Sequence, residues 1–94
     1  MVYAITFALD VDQLKQVYPS TLNWQTAYSA IKKILAEEGF VWRQDSLYFG
    51  TSKNAVDCVL ATQRLSKELS WFKACVKDIQ MLRIEEMTDL KPAL

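Results

Sequence analysis

Tyr3-Ala4-Ile5-Thr6-Phe7-Ala8-Leu9 alternates bulky apolar residues with small ones and continues directly into Asp10. A β-strand points successive side chains to opposite faces of its sheet. The predicted strand therefore has a large face, formed by Tyr3, Ile5, Phe7 and Leu9, and a small face, formed by Ala4, Thr6, Ala8 and Asp10. We expect helices to pack on the large face. The small face can admit a second sheet or a substrate backbone, so any chemistry is expected there.

Two helices are predicted after this strand. Apolar residues at helical spacing from Trp24 to Leu35 indicate the first, and Gly39 ends it in a left-handed conformation. Ser20, Thr21 or Asn23 is suited to cap its start. The segment 10–22 reads as a loop with a short helical turn over 11–17. The second helix runs from about 53 to 69 and has two apolar stripes, Val56-Val59-Leu60 and Cys58-Ala61-Leu65-Leu69. Spacing alone does not decide which stripe faces the core.

The remaining strands complete a recognisable order. Segments 40–43 and 46–49 predict a hairpin around Gln44-Asp45, and 79–85 alternates as a final strand, with 70–73 interrupting or extending the second helix. The order βαββαβ predicts a single α+β domain over 1–94 with a ferredoxin-like fold: a four-stranded antiparallel sheet with two helices on one face. The other face stays uncovered, and its small residues would let a partner sheet approach, so we expect a symmetric homodimer.

Composition excludes several classes of function. Eleven basic and eleven acidic residues give zero net charge, so any nucleic-acid site must be local. Histidine is absent, which rules out Ser-His and Cys-His nucleophiles and histidine metal ligands. Gly39 and Gly50 are the only glycines, so a glycine-rich phosphate loop is excluded. Cys58 and Cys75 are expected as buried free thiols rather than a bridge.

The chain is expected to be cytoplasmic, with no membrane partner. Its first residues enter a strand at once, which does not suit a signal peptide. Its apolar runs are also too short to span a bilayer.

Several segments together resemble the virulence-associated protein D family. They are Tyr3–Phe7, Gly39–Trp42 with Gln44 and 46–48, Trp71–Lys73 and Val76–Ile79, and they cover nearly the whole chain in order. The resemblance implies a ferredoxin-like dimer related in shape to the small CRISPR adaptation nucleases. It also implies an endoribonuclease acting on RNA, which in some members is the toxin of a toxin–antitoxin pair with a small antitoxin protein as partner.

The chain departs from the family pattern at three positions. Val2 is inserted after the initial methionine and is interpreted as a remnant of cloning. Asp45 stands in the hairpin turn where glycine is common. Ala8 stands where the family has an aspartate, which in the related nucleases is the expected catalytic or metal-binding residue.

Ala8 has two interpretations. In the first, alanine is the native residue, and this branch of the family either has lost activity or uses Asp10, which would lie about 7 Å further along the same face. In the second, alanine replaces a native aspartate, a substitution introduced to inactivate a protein that is toxic to its expression host. An aspartate at this position would hold a divalent cation such as Mg²⁺ or orient water, whereas alanine does neither.

Two further residues complete the candidate catalytic set of Ala8, Asp10, Ser46 and Asp78. Ser46 begins the third strand, where its hydroxyl either binds the scissile phosphate or bonds its own backbone in the turn. Asp78 is expected, with Lys77, just before the predicted last strand. It either belongs to the site or serves as a cap or a member of a surface ion pair.

Arg43, Tyr48 and Lys77 are the candidate RNA-binding residues. Arg43 suits a phosphate and Tyr48 a base, although packing on the sheet also explains Tyr48. The alternative to an endoribonuclease is a non-catalytic RNA- or protein-binding dimeric module.

Overall fold

A computed structural model describes residues 1–19 and 23–94. Its strands and helices, in chain order, are β1 Val2–Leu9, α1 Val11–Val17, α2 Thr26–Glu37, β2 Val41–Gln44, β3 Leu47–Gly50, α3 Ala55–Glu68, α4 Phe72–Cys75 and β4 Val76–Ile84. A single 3-10 turn, Lys91–Ala93, follows in the C-terminal tail.

The four strands form one antiparallel sheet in the order β2-β3-β1-β4. β1 therefore lies inside the sheet, while β2 and β4 are its edges. With α2 and α3 as the connections after β1 and β3, this is the ferredoxin-like arrangement that the sequence predicted.

The two faces of β1 behave as its alternation predicted. Ile5, Phe7 and Leu9 are buried in the main core, and Tyr3 packs against it. The core is completed mainly by α2 and α3, with Ile31, Leu35, Cys58, Ala61 and Leu65. On the small face the register places Phe49 of β3 and Leu82 of β4 on either side of Ala4.

The structure decides between the two apolar stripes of α3. Cys58, Ala61 and Leu65 face the core, whereas the stripe of Val56, Val59 and Leu60 is exposed. Asn54 is the N-cap of this helix and forms a reciprocal capping box with Asp57. The Asn54 side chain accepts a hydrogen bond from the Asp57 backbone N–H, and the Asp57 carboxylate accepts one from the Asn54 backbone N–H. Capping residues of this kind satisfy backbone donors that the helix leaves free.

The helical turn expected over 11–17 is present with those bounds, as α1. The two hairpin strands expected at 40–43 and 46–49 each begin and end one residue later, at 41–44 and 47–50, so Ser46 lies in the turn and does not begin the third strand. The last strand begins at Val76, not at 79, and it contains a bulge at Lys77 where its register with β1 shifts. A bulge breaks the alternation of side chains, which hides the start of such a strand in the sequence.

Ser20 and Thr21, two of the expected caps of α2, lie outside the described residues. The third, Asn23, is not its N-cap: the N-cap is Gln25, which makes no side-chain capping hydrogen bond, and the Asn23 side chain accepts from the Gln25 backbone N–H in the turn before the helix. Gly39 (φ 87°) and Asp45 (φ 45°) both adopt the left-handed conformation predicted for them.

Cys58 and Cys75 are free and buried, as predicted. Among the described residues, every helix is too short or too polar to cross a membrane.

Candidate functional site

A cleft lies where β1 extends beyond the end of its neighbour β3. The last hydrogen bond between them joins the Phe7 N–H to the Ser46 carbonyl, at 3.3 Å. Beyond it β1 continues to Ala8, while the chain on the other side turns at Asp45 into β2. The resulting cleft has a volume of about 550 Å³. It is lined by Thr6, Phe7, Ala8, Leu9, Tyr28, Gln44, Asp45, Ser46, Leu47 and Leu82.

Ala8 lies between two of the predicted site residues. Ser46 is on its β3 side, and Asp78 is its register partner on β4. Directly opposite residues of an antiparallel pair point to the same face, so Asp78 shares the small face with Ala8. Asp78 was expected just before the last strand, and this was wrong: it lies within β4. Its carboxylate is exposed and accepts a 2.9 Å hydrogen bond from the Gln80 side chain.

Asp10 does not continue the small face, contrary to expectation. β1 ends at Leu9, and Asp10 becomes the N-cap of α1, where its carboxylate accepts from the Gln13 backbone N–H at 3.1 Å. Its own backbone N–H donates to the Cys75 carbonyl at 2.7 Å. Helix capping therefore accounts for this aspartate, and the structure does not bring it beside Ala8 as a substitute acid.

The prediction that Tyr48 binds an RNA base is wrong. It is 3% exposed and stacks on Phe7 with ring centroids 6.0 Å apart, so its ring offers no free face to a base. Burial also raises the pKa of its phenol. The packing interpretation is therefore the right one for Tyr48.

Arg43 and Lys77 are both exposed. Arg43 is the irregular residue of β2, and its guanidinium lies 5.1 Å from the centre of the Phe49 ring. Lys77 is the bulged residue of β4, next to Asp78. The two charged groups are therefore open to solvent, one on each side of β1.

A second cleft, of about 440 Å³, adjoins the first. It shares Tyr28, Asp45 and Ser46 with it, and adds Ser29, Lys32, Trp42 and Tyr48. Sequence reasoning missed Trp42 and Lys32 as site residues. The available signal was the hairpin itself, because its register sets Trp42 opposite Tyr48 on the edge strand, beside the predicted helix.

The donor groups present do not form a cation site by themselves. In residues 1–19 and 23–94, no three His, Cys, Asp or Glu side chains come together to hold a metal ion. With alanine at position 8, Asp78 is the carboxylate on the small face opposite it. Magnesium sites usually draw on one or two carboxylates together with substrate phosphates, so Asp78 would supply one such ligand and an acid at position 8 a second.

Fold and site together define a ferredoxin-like α+β domain with a polar cleft at the end of its first strand.

No family model matches the chain. It is 46% identical over 93 residues to Endoribonuclease VapD 2 of Riemerella anatipestifer, covering 98% of both chains. It is 45% identical to an Endoribonuclease VapD homolog of Helicobacter pylori, covering 98% of this chain and 95% of that one. A third relative, Endoribonuclease VapD of Dichelobacter nodosus, is 38% identical over 87 residues, which are 93% of this chain and 90% of the relative. The chain therefore belongs to the VapD family, as its sequence pattern indicated.

Proposed function

We propose that this chain is an endoribonuclease that cuts RNA internally, and that the cleft at Ala8 and Ser46 is its site. The names of its relatives support this, since they are endoribonucleases over nearly the same length. The observation that carries the proposal is the position of Ala8, directly across from Asp78 and one residue beyond the β1–β3 hydrogen bond at Ser46.

Phosphodiester cleavage here must proceed without imidazole, because the chain has no histidine. The Ser46 hydroxyl donates to a phosphate oxygen, and Arg43 attracts the negatively charged backbone. The Asp78 carboxylate accepts the proton of the attacking hydroxyl or water. An acid at position 8 would give two facing carboxyl groups, of which one holds a proton more tightly and donates it to the leaving oxygen as the bond between that oxygen and phosphorus breaks.

Ala8 leaves this pair incomplete, so we propose that the chain binds RNA and cleaves it weakly. The same residue favours the second candidate function, a dimeric module that binds RNA without cleaving it. The test is cleavage of an end-labelled single-stranded RNA by the unchanged chain and by Ala8→Asp, with Ala8→Asn as an uncharged control of similar size. Much faster internal cleavage by Ala8→Asp than by the unchanged chain and Ala8→Asn supports the ribonuclease. Equal absence of cuts in all three supports the binding module.

The proposed assembly is a homodimer that meets through the small face of the sheet. Val41 is 65% exposed and Leu82 39% exposed there, on either side of a floor formed by Ala4 and Phe49. An apolar area of this kind on a small domain is typical of an interaction surface.

We also propose that the chain is the toxin of a toxin–antitoxin pair and works in the cytoplasm. Its two cysteines are unpaired, which suits a reducing compartment. Expression of Ala8→Asp should arrest growth of the host while Ala8→Asn does not. A small protein encoded beside it should relieve that arrest and co-purify with it. Growth that is unaffected by an active Ala8→Asp variant would contradict the toxin assignment.

A further inference from the structure

We propose that the second cleft binds one unpaired RNA base, stacked on the indole of Trp42. This inference rests on the proposed action on RNA and extends it to a subsite beside the cleavage position. This cleft, the Trp42 cleft, is lined by Tyr28, Ser29, Lys32, Trp42, Asp45, Ser46 and Tyr48.

Trp42 is held in a fixed orientation while it remains open to solvent. It is 46% exposed, yet its indole N–H donates a 2.7 Å hydrogen bond to the Asp45 carbonyl across the hairpin turn. The polar end of the ring is thus satisfied within the protein, and the apolar ring surface is what a ligand meets. A side chain ordered in advance loses little entropy when it stacks on a ligand. Nucleobases stack on such aromatic surfaces with little dependence on sequence.

The groups around the ring suit a nucleotide better than a purely apolar ligand. The Lys32 ammonium lies over the Trp42 ring, 5.0 Å from its centre. A base that stacks on this face displaces the flexible lysine to the side, where its ammonium can pair with the phosphate of the same nucleotide. Tyr28 and Ser29 bring hydroxyl groups from α2 to the same cleft. The hydroxyl groups can bond the edge of a base, which in RNA is accessible only when the base is unpaired and splayed out.

The Trp42 cleft and the cleavage cleft are continuous. Tyr28, Asp45 and Ser46 line both of them. A base on Trp42 and a phosphate at the Ser46 hydroxyl therefore belong to the same nucleotide or to adjacent ones. The subsite would select RNA that is single-stranded at the cleavage position.

The Trp42 cleft offers few positive charges to RNA, since Lys32 is the cation among its lining residues. Release of counterions grows with the number of phosphates that cations neutralise, so it supplies only a small part of the affinity at this cleft. We therefore expect the affinity for single-stranded RNA to depend weakly on salt and strongly on Trp42.

The test measures binding of a fluorescein-labelled single-stranded oligoribonucleotide to the unchanged chain, whose Ala8 keeps cleavage slow. Trp42→Ala should weaken binding roughly 10-fold, and Trp42→Phe should retain most of the affinity because it keeps a stacking ring. Val56→Ala is the matched control, since Val56 is also an exposed apolar residue (63% exposed) and lies on α3, outside the lining of both clefts. It should bind like the unchanged chain.

Two further readouts separate stacking from general loss of structure. An oligonucleotide of the same length with abasic sites should bind the unchanged chain as weakly as the normal RNA binds Trp42→Ala, and Trp42→Ala should not distinguish the two. RNA should quench tryptophan emission of the unchanged chain but not of Trp42→Phe, which keeps only Trp24 and Trp71.

Equal RNA affinity of Trp42→Ala and the unchanged chain, or no RNA binding by the unchanged chain, overturns the Trp42 cleft. Cleavage by Ala8→Asp remains a separate measurement. If that variant cuts RNA while Trp42→Ala binds normally, the subsite is wrong and the ribonuclease stands. If binding depends on Trp42 but no variant cuts, the subsite stands on a non-catalytic RNA-binding protein.

Discussion

Ala8 and Asp78 occupy directly opposite positions on β1 and β4, with their side chains on the same, uncovered face of the sheet. Opposite residues of an antiparallel pair have Cβ atoms about 4.5–5.5 Å apart. A carboxyl group at position 8 would therefore meet the Asp78 carboxylate within a single subunit.

Restoring that acid should restore cleavage. We expect Ala8→Asp to raise the rate of internal RNA cleavage on the order of 100-fold, the lower end of what positioned acid–base groups contribute. The measurement is the appearance of internal fragments under single-turnover conditions. Adding Asp78→Asn to this variant should return the rate to that of the unchanged chain. If the double variant cleaves as fast as Ala8→Asp, the two positions do not act together.

The same substitution should make stability depend on pH. The charge of Asp78 raises the pKa of a carboxyl group introduced at position 8 above its ordinary value of about 3.9. The folded state then holds this proton more tightly than the unfolded state. The stability that the proton provides is present at low pH and is lost as pH rises through the raised pKa.

Urea unfolding of Ala8→Asp and Ala8→Asn at pH 4 and pH 7 measures this effect. The deficit of Ala8→Asp relative to Ala8→Asn should grow between the two pH values by less than about 1 kcal/mol, because Asp78 is exposed and water screens the pair. A deficit that is the same at both pH values contradicts the proximity of the two groups.

Assembly through the small face is tested at Thr6. Its register partners are Leu47 and Gln80, so it lies in the middle of that face. Thr6→Arg should convert a dimer to a monomer in light scattering, because it places a charge against a closely packed partner sheet. Thr51→Arg carries the same change at an exposed position after β3 and should remain dimeric. A dimer that survives Thr6→Arg would show that the subunits meet elsewhere.

The sequence predicted those features that depend on local periodicity. The alternation of β1 identified its core face, Gly39 and Asp45 identified turns that need a left-handed residue, and the element order identified the fold. These signals are contained within a few neighbouring residues. Register between distant strands is not, which is why the pairing of Ala8 with Asp78 could not be anticipated.

The errors at Asp10 and Tyr48 have particular causes. The alternation of side chains in β1 predicted that the strand includes Asp10. An aspartate that precedes a helical turn is also a favoured N-cap, and Asp10 is the N-cap of α1. Tyr48 lies on a strand whose alternation is compatible with either face. Only its position opposite Ile5 places it in the core.

The assignment of the α3 stripes can be checked by a matched pair of substitutions. Leu65 is fully buried and Leu60 is 52% exposed on the same helix. Leu65→Ala should lower the free energy of unfolding by about 2–5 kcal/mol, since it leaves a cavity in the core. Leu60→Ala should change it by about 0.5 kcal/mol or less. Urea denaturation measures both, and equal losses would mean that both stripes are buried in solution.

The buried thiols should report on the same core through their reactivity. Burial is the main reason that the pKa of the Cys58 thiol is raised above its ordinary value, and the neighbouring Asp57 charge adds to it. Burial is also the main reason that the pKa of the Cys75 thiol is raised. Because the thiolate is the reactive form, a disulfide reagent at pH 8 should modify the folded protein far more slowly than the urea-unfolded protein. A raised pKa also means that the folded state keeps its thiol protons to higher pH than the unfolded state does. The stability that the two thiols contribute should therefore be fully present below about pH 8.5 and should be lost as pH rises further. Cys58→Ala should reduce that alkaline loss. Rapid modification of both thiols in the folded protein at pH 8 would contradict their burial.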